Sequence, residues 1–243
     1  MSPEDPIAEN LARVRDQIAD SARASGRSPA TVRLLPVSKT VPSERLRHAI
    51  AAGVRRFGEN RVQEAREKAE ALNDEALDWV IIGHLQTNKA KYVARFAAEV
   101  QSIDRFDVAA TLDRRLQQEG RTLDVLLQIN TSGEASKFGV EPAGAEALLQ
   151  AVAGLDTLRV RGLMTLAVHS EDRERVRACF RGLRELRDRL QADAPPGVAL
   201  NELSMGMSGD YDLAIAEGST EVRIGSAIFG ARPAAATAEA GAR

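Results

Sequence analysis

The sequence predicts one (β/α)8 barrel of the TIM type, an α/β fold, with an extra helix at its N-terminus. Three observations carry that expectation. Eight short apolar runs alternate with helical patterns along the chain, which implies parallel strands joined by helical crossovers. The length, 243 residues, suits a single barrel of about 250 residues. Polar residues and glycines gather just after the apolar runs, where a barrel keeps its functional loops. An open doubly wound sheet is the competing fold. It is weakened because no Gly-x-Gly-x-x-Gly follows the first run and no Walker-type loop exists.

The extra helix comes first. Ile7, Leu11, Val14, Ile18 and Ala22 are spaced by four, three, four and four residues, one helical face that stops near Gly26. Strands are then expected over 32–37, 54–57, 79–83, 100–103, 123–129, 158–163, 200–203 and 221–224. Helices are expected over 43–52, 61–72, 87–97, 107–119, 142–153, 172–192 and 211–216. Pro42-Ser43 opens the first of these helices and Gly53 closes it, while Gly120 and Gly154 close two others. The barrel is expected to occupy residues 1–232, and the Ala-rich stretch 233–243 to be a disordered tail.

Composition removes several classes of function. A formal charge of −2 argues against nucleic acid or a membrane surface as a partner held by bulk electrostatics. The longest uncharged run, 79–88, falls far short of the ~20 residues of a membrane helix. Glu4, Asp5 and Glu9 precede any apolar run, so no signal peptide is visible, and a cytoplasmic monomer or weak dimer is expected. The lone Cys179 excludes an intramolecular disulfide framework. It sits on the helical stripe Val176, Phe180, Leu183, Leu186, Leu190 and reads as core filler. His48, His84 and His169 show no metal-binding spacing, so no metal site is expected. Only five of the 33 basic residues are lysines, and the arginines mostly alternate with acids, as on an ion-paired surface.

Lys39 is the sharpest single feature. It follows Leu34-Leu35-Pro36-Val37, which would bring its ammonium to the barrel mouth between apolar walls. Desolvation there exposes an amine nucleophile able to form imines; the bland reading is a lysine snorkelling to solvent. Lys68 reads as a duller, mid-helix residue among Glu64, Glu67 and Glu70, and Lys137 as a loop residue open to solvent or ligand. The loops after strands seven and eight are where barrels often bind phosphate. Ser208-Gly209 and Gly225-Ser226 supply small residues, free amides and two hydroxyls there. Arg223 lies in strand eight and could face the mouth or the helices; periodicity does not choose. Lysine, arginine and phosphate cup together match pyridoxal phosphate (PLP). A Schiff-base aldolase for a phosphorylated sugar needs the same parts and a proton shuttle, for which Glu59 and Asp104 are available.

The motifs Pro36-Val37-Ser38-Lys39, Gly58-Glu59-Asn60-Arg61 and Gly83-His84-Leu85-Gln86-Thr87-Asn88-Lys89 carry a family resemblance. So do Asn130-Thr131-Ser132-Gly133-Glu134, Leu203-Ser204-Met205-Gly206-Met207-Ser208 and Glu221-Val222-Arg223-Ile224-Gly225-Ser226. From about Leu34 to Arg232 the chain resembles the pyridoxal phosphate homeostasis protein family. The resemblance implies a barrel like the N-terminal domain of bacterial alanine racemase, with PLP held as a Schiff base on Lys39. It also implies phosphate contacts from Ser208, Gly225 and Ser226, with Arg223 near the cofactor ring. Asn60 is a further cofactor-binding candidate, although Asn before a helix ordinarily caps it. Two positions depart from the family: Arg61 stands where tyrosine is frequent and Ser226 where threonine is, the hydroxyl surviving in the second case. The family is regarded as a carrier or buffer of PLP rather than an enzyme, and on the carrier reading apo-PLP enzymes are the expected recipients. A PLP-dependent racemase or lyase is the alternative, but a racemase also takes a catalytic tyrosine from a C-terminal β-domain, and this chain has only Tyr92 and Tyr211.

Overall fold

Strand and helix alternate throughout the computed structural model, which describes residues 5–134 and 136–230. The tail expected over 233–243 lies outside the described residues. Helix α1 (Ile7–Ala24) comes first, followed by β1 (Arg33–Pro36), α2 (Ser43–Ala51), β2 (Arg56–Glu59), α3 (Val62–Ala71) and β3 (Asp78–Ile81). Then come α4 (Ala90–Phe96), β4 (Ala97–Ile103), α5 (Phe106–Glu119), β5 (Leu123–Gln128), α6 (Ala145–Ala153) and β6 (Leu158–Met164). The series ends with α7 (Arg173–Ala192), β7 (Glu202–Ser204), α8 (Tyr211–Ala216), β8 (Glu221–Ile224) and α9 (Ser226–Phe229).

All eight strands pair in parallel, in the order β1-β8-β7-β6-β5-β4-β3-β2. The seam between β1 and β2 is drawn together by an isolated parallel bridge between Val37 and Gly58. There the Ser38 N–H donates to the Gly58 carbonyl at 3.0 Å. The expected TIM-type barrel with its N-terminal helix therefore forms.

Alternation sorts the side chains of each strand. Leu34, Val222 and Ile224 face outward into an apolar layer shared with α1 and α2, where Phe57 also stacks on Trp79 at 5.7 Å. Outward residues of β3 to β7 join the helices α4 to α7 in a second apolar layer. Cys179 lies in that layer, 6% exposed, with the rest of its predicted stripe. The five spaced residues of α1 are all buried, and the helix packs against α2, α8 and α9. Polar ties fix it: Asn10 donates to the Ile228 carbonyl at 2.9 Å, and Arg27 to the Ile215 and Ser219 carbonyls. No helix among the described residues is long and apolar enough to cross a membrane.

Two strands differ from expectation in a way that matters for the site. β2 begins at Arg56 rather than Val54, so Gly58 and Glu59 are strand residues, and β7 likewise takes in Ser204. A strand with a charged inward residue does not read as apolar, and Arg56 reaches Glu99 inside the barrel at 2.6 Å. Helices α4 and α6 start later than expected, each behind a 3-10 turn, Thr87–Lys89 and Pro142–Gly144.

Two glycines should respond to alanine in opposite directions. A Cβ on Gly162 in β6 would lie 1.9 Å from the Glu202 carbonyl oxygen across the strand pair, whereas around Gly182 in α7 nothing stands within 4 Å. Gly162→Ala should cost about 3 kcal/mol or more, since neither backbone can yield cheaply. Gly182→Ala should gain about 0.5–1 kcal/mol through helix propensity. Denaturant unfolding of both variants measures the two signs.

Candidate functional site

Inside the barrel, inward positions on three strands carry polar residues two apart: Glu99 and Gln101 on β4, Glu202 and Ser204 on β7, Glu221 and Arg223 on β8. They form a connected column. Arg223 is 3% exposed and donates to the Ser204 hydroxyl and the Thr165 carbonyl, each at 2.7 Å. Ser204 in turn donates to the Gln101 amide oxygen at 2.7 Å. The Gln101 NH2 group donates to Glu99 at 2.6 Å and to Glu221 at 2.5 Å. Below them Arg56 pairs with Glu99, and Arg33 with Glu202 at 2.7 Å and Glu221 at 3.4 Å. Arg223 thus faces the axis, which periodicity had left undecided.

Its charge is expensive there. Desolvation lowers the Arg223 guanidinium to about 10, against the pull of Glu221 and Asp210, so it stays cationic at neutral pH. Among the described residues no carboxylate lies within ion-pair distance of it, and its two acceptors are neutral oxygens.

The sequence-predicted residues gather around the upper end of this column. Lys39 follows β1 beyond the buried Leu35 and Val37, and it is partly exposed. The Val37 N–H donates to the Ile224 carbonyl at 2.9 Å, which draws Gly225 and Ser226 up beside the Lys39 segment. A Cβ on Gly225 would sit 3.0 Å from the Val37 carbonyl oxygen, so a bare backbone is what allows this approach. Ser226 opens α9 and its hydroxyl meets that of Ser208 at 3.5 Å, both residues being exposed. Gly206 holds the loop below Ser208 with φ +96°, and its carbonyl accepts from Arg223 N–H at 2.9 Å. Lysine, arginine and hydroxyl pair therefore come from the ends of β1 and β8 and from the loop after β7.

Other expectations fare differently. The helix after Asn60 has Arg61 at its N-cap and no side-chain cap, so the capping role considered for Asn60 is not the one found. Asn60 is exposed, and its backbone oxygen occupies the space a Cβ on Gly83 would need. Lys68 is 5% exposed, and it binds Glu59, one of the two carboxylates held available as a proton shuttle. Asp104 is engaged by Arg105 at 2.6 Å and lies 3.3 Å from His84. Lys137 donates to the Ala167 carbonyl at 2.8 Å, and its neighbour Phe138 stacks on His84 at 3.9 Å.

Residues 7–233 match the family model described as alanine racemase, N-terminal domain. The pyridoxal phosphate homeostasis protein of Pseudomonas aeruginosa is 47% identical over 226 residues, 93% of this chain and 96% of that one. The chain belongs to the pyridoxal phosphate homeostasis protein family. Its Escherichia coli K12 member is 44% identical, over 93% of this chain and 97% of its own. PipY of Synechococcus elongatus, solved with PLP bound, superposes with a TM-score of 0.81 at 38% identity, covering 92% of this chain and all of PipY. An alanine racemase of Clostridium difficile shares the fold at 15% identity and TM-score 0.70, with 57% of its length covered.

The buried carboxylates make stability depend on pH. Burial, and then the charge of Glu221, hold the Glu99 carboxyl above its ordinary 4.5 in the folded protein. A raised carboxylate contributes fully below the unfolded value and loses that contribution as the pH rises through the folded one. Glu99→Gln cannot ionise, so its stability relative to the parent should improve as the pH rises from about 4.5 toward neutrality. Denaturation midpoints across that range test the slope.

Proposed function

We propose that this chain is a non-catalytic PLP-binding protein that holds the cofactor reversibly and passes it to apo-PLP enzymes. The observation that carries the reading is Arg223, a buried guanidinium with neutral acceptors on β8, the strand that pairs with β1 leading to Lys39 and that runs into a backbone cradle with two hydroxyls. Each part fits one part of PLP. Lys39 supplies the amine that takes the aldehyde as an imine. Ser208, Ser226 and the Gly225 backbone receive the phosphate. Arg223 faces the ring nitrogen and, being cationic, disfavours its protonation. Bound PLP supplies an electrophilic aldehyde and an electron-withdrawing ring; everything else falls to this chain's own residues.

The carrier reading is supported by what surrounds Lys39. Glu59, the carboxylate next to its strand, lies on the outer side of the sheet with its Oε1 bound by Lys68 and Ser38. Tyr92 lies in α4 with the cations of Lys91 and Arg66 over its ring at 4.9 and 5.0 Å, in the outer helical layer. Relatives bearing the homeostasis name and a PLP-bound neighbour support the same ligand.

Absorption spectroscopy with added PLP is the first test. The protein should develop a yellow chromophore that borohydride fixes to Lys39, and Lys39→Ala should abolish it. Labelling at Lys137 or Lys89 instead would reject the assignment. Charge-assisted hydrogen bonds run about 1.5–3 kcal/mol, so Ser208→Ala or Ser226→Ala should weaken PLP roughly ten-fold while sparing unphosphorylated pyridoxal. Equal loss for both ligands would assign the serines to the fold.

A second experiment separates carrier from enzyme. PLP-loaded protein should turn over no common L- or D-amino acid, yet reactivate an apo-PLP enzyme given no other source of cofactor. Turnover at an enzyme-like rate, abolished by Lys39→Ala, would favour the racemase or lyase reading. Reactivation no faster than spontaneous release would leave storage and remove delivery.

A further inference from the structure

Behind the Lys39 segment, on the outer side of the sheet, lies a charged cluster with no part in the column described above. Ser38 and Glu59 are fully buried, and the Ser38 hydroxyl donates to Glu59 Oε1 at 2.6 Å. Lys68 reaches in from α3 and spends its three donors on three oxygens: the Ser38 carbonyl and Glu59 Oε1, each at 2.6 Å, and Glu64 Oε1 at 2.7 Å. Glu64 Oε1 also accepts from the Thr40 N–H at 2.5 Å. Thr40 has φ +65°, the one non-glycine residue with positive φ among those described, and a β-branched side chain resists that conformation. Lys39 therefore stands between two residues that a single ammonium secures, Ser38 directly and Thr40 through Glu64.

We propose that Lys68 is a positioning residue for Lys39: by gripping Ser38, Glu59 and Glu64 it holds Thr40 in its strained conformation and so sets the direction from which the Lys39 amine meets a carbonyl ligand. The inference rests on the reading that Lys39 binds PLP. Strain at such a position persists only where the surroundings over-determine it. Thr40 meets that condition through two hydrogen bonds whose acceptors Lys68 also grips: its own N–H to Glu64 Oε1, and the Val41 N–H that closes the turn over it onto the Ser38 carbonyl at 3.0 Å.

The test uses the full chain with Lys68→Met and Glu64→Ala, the second variant leaving the buried Lys68–Glu59 pair in place should the first fail to fold. In ligand-free protein, amide hydrogen exchange at Thr40 should quicken in each. After loading with PLP, release to an excess of apoenzyme should be faster by about ten-fold, the value of one charge-assisted hydrogen bond. Thr40→Gly added to Glu64→Ala should recover most of that loss, because glycine adopts φ +65° unaided. A purely structural role predicts a lower denaturation midpoint, unchanged release at temperatures where the variants are folded, and no rescue by Thr40→Gly; that pattern overturns the proposal. Wild-type protein that takes up no PLP overturns the reading of Lys39 and this inference together. Wild-type uptake with unchanged release in both variants overturns this inference alone.

Discussion

Placing one guanidinium inside the barrel is the constraint on which much of the rest depends. A buried charge costs several kcal/mol after relaxation unless its donors find acceptors. Arg223 finds them in Ser204 and the Thr165 carbonyl, but the consequence travels further. Ser204 can accept from Arg223 only while its own proton goes elsewhere, to Gln101, and the Gln101 amide then requires acceptors in turn. Those are Glu99 and Glu221, two carboxylates brought together inside the barrel, and they in turn call for Arg56 and Arg33. Three strands and the starts of two more are thereby committed to polar inward positions.

That commitment changes where the fold keeps its apolar burial. Barrels of this class usually fill the axis with branched apolar side chains in layers. Here much of the axis is a hydrogen-bonded column, so the apolar area is buried chiefly outside the strands, in the two layers against the helices. Helix α1 belongs to that arrangement. It covers α8 and α9 next to the Gly225–Ser226 turn, and Asn10 and Arg45 bind the last carbonyls of α9. Packing at the chain's start thus supports a candidate ligand turn near its end.

The sequence made the succession of elements legible because each strand buries an outward apolar stripe, and α1 could be read to its last buried residue. β8 was placed to the residue, Glu221–Ile224, yet the direction of Arg223 could not be read because all four residues are buried and alternation has no solvent side. Gln101 and Glu99 carry no signal singly, and Ser204 only as part of a motif; the signal is the spacing of two repeated on β4, β7 and β8, which becomes visible only once the strands are aligned. Lys68 does not stand out among the acids near it in sequence, because its buried partner Glu59 arrives from another element. Lys39, Ser208, Gly225 and Ser226 were legible because loops after barrel strands can be read without knowing packing.

On the proposed reading, the ligand's two ends meet unequal surroundings, and that inequality suits a carrier. The ring end faces Arg223, fixed on both sides inside the barrel, where electrostatic interactions are strong and geometry is rigid. The phosphate end faces Ser208 and Ser226, both exposed, where the same kind of hydrogen bond is weakened by water and salt. An enzyme that must retain PLP through many turnovers gains from burying the phosphate. A protein that must surrender it gains from leaving the strongest anionic handle at the surface, within reach of solvent and of a competing site, while a deep ring contact and a reversible imine still give specificity. Holding and release are then governed by different residues: the column beneath Arg223 and the Lys68 clamp on one side, the hydroxyl pair at the rim on the other.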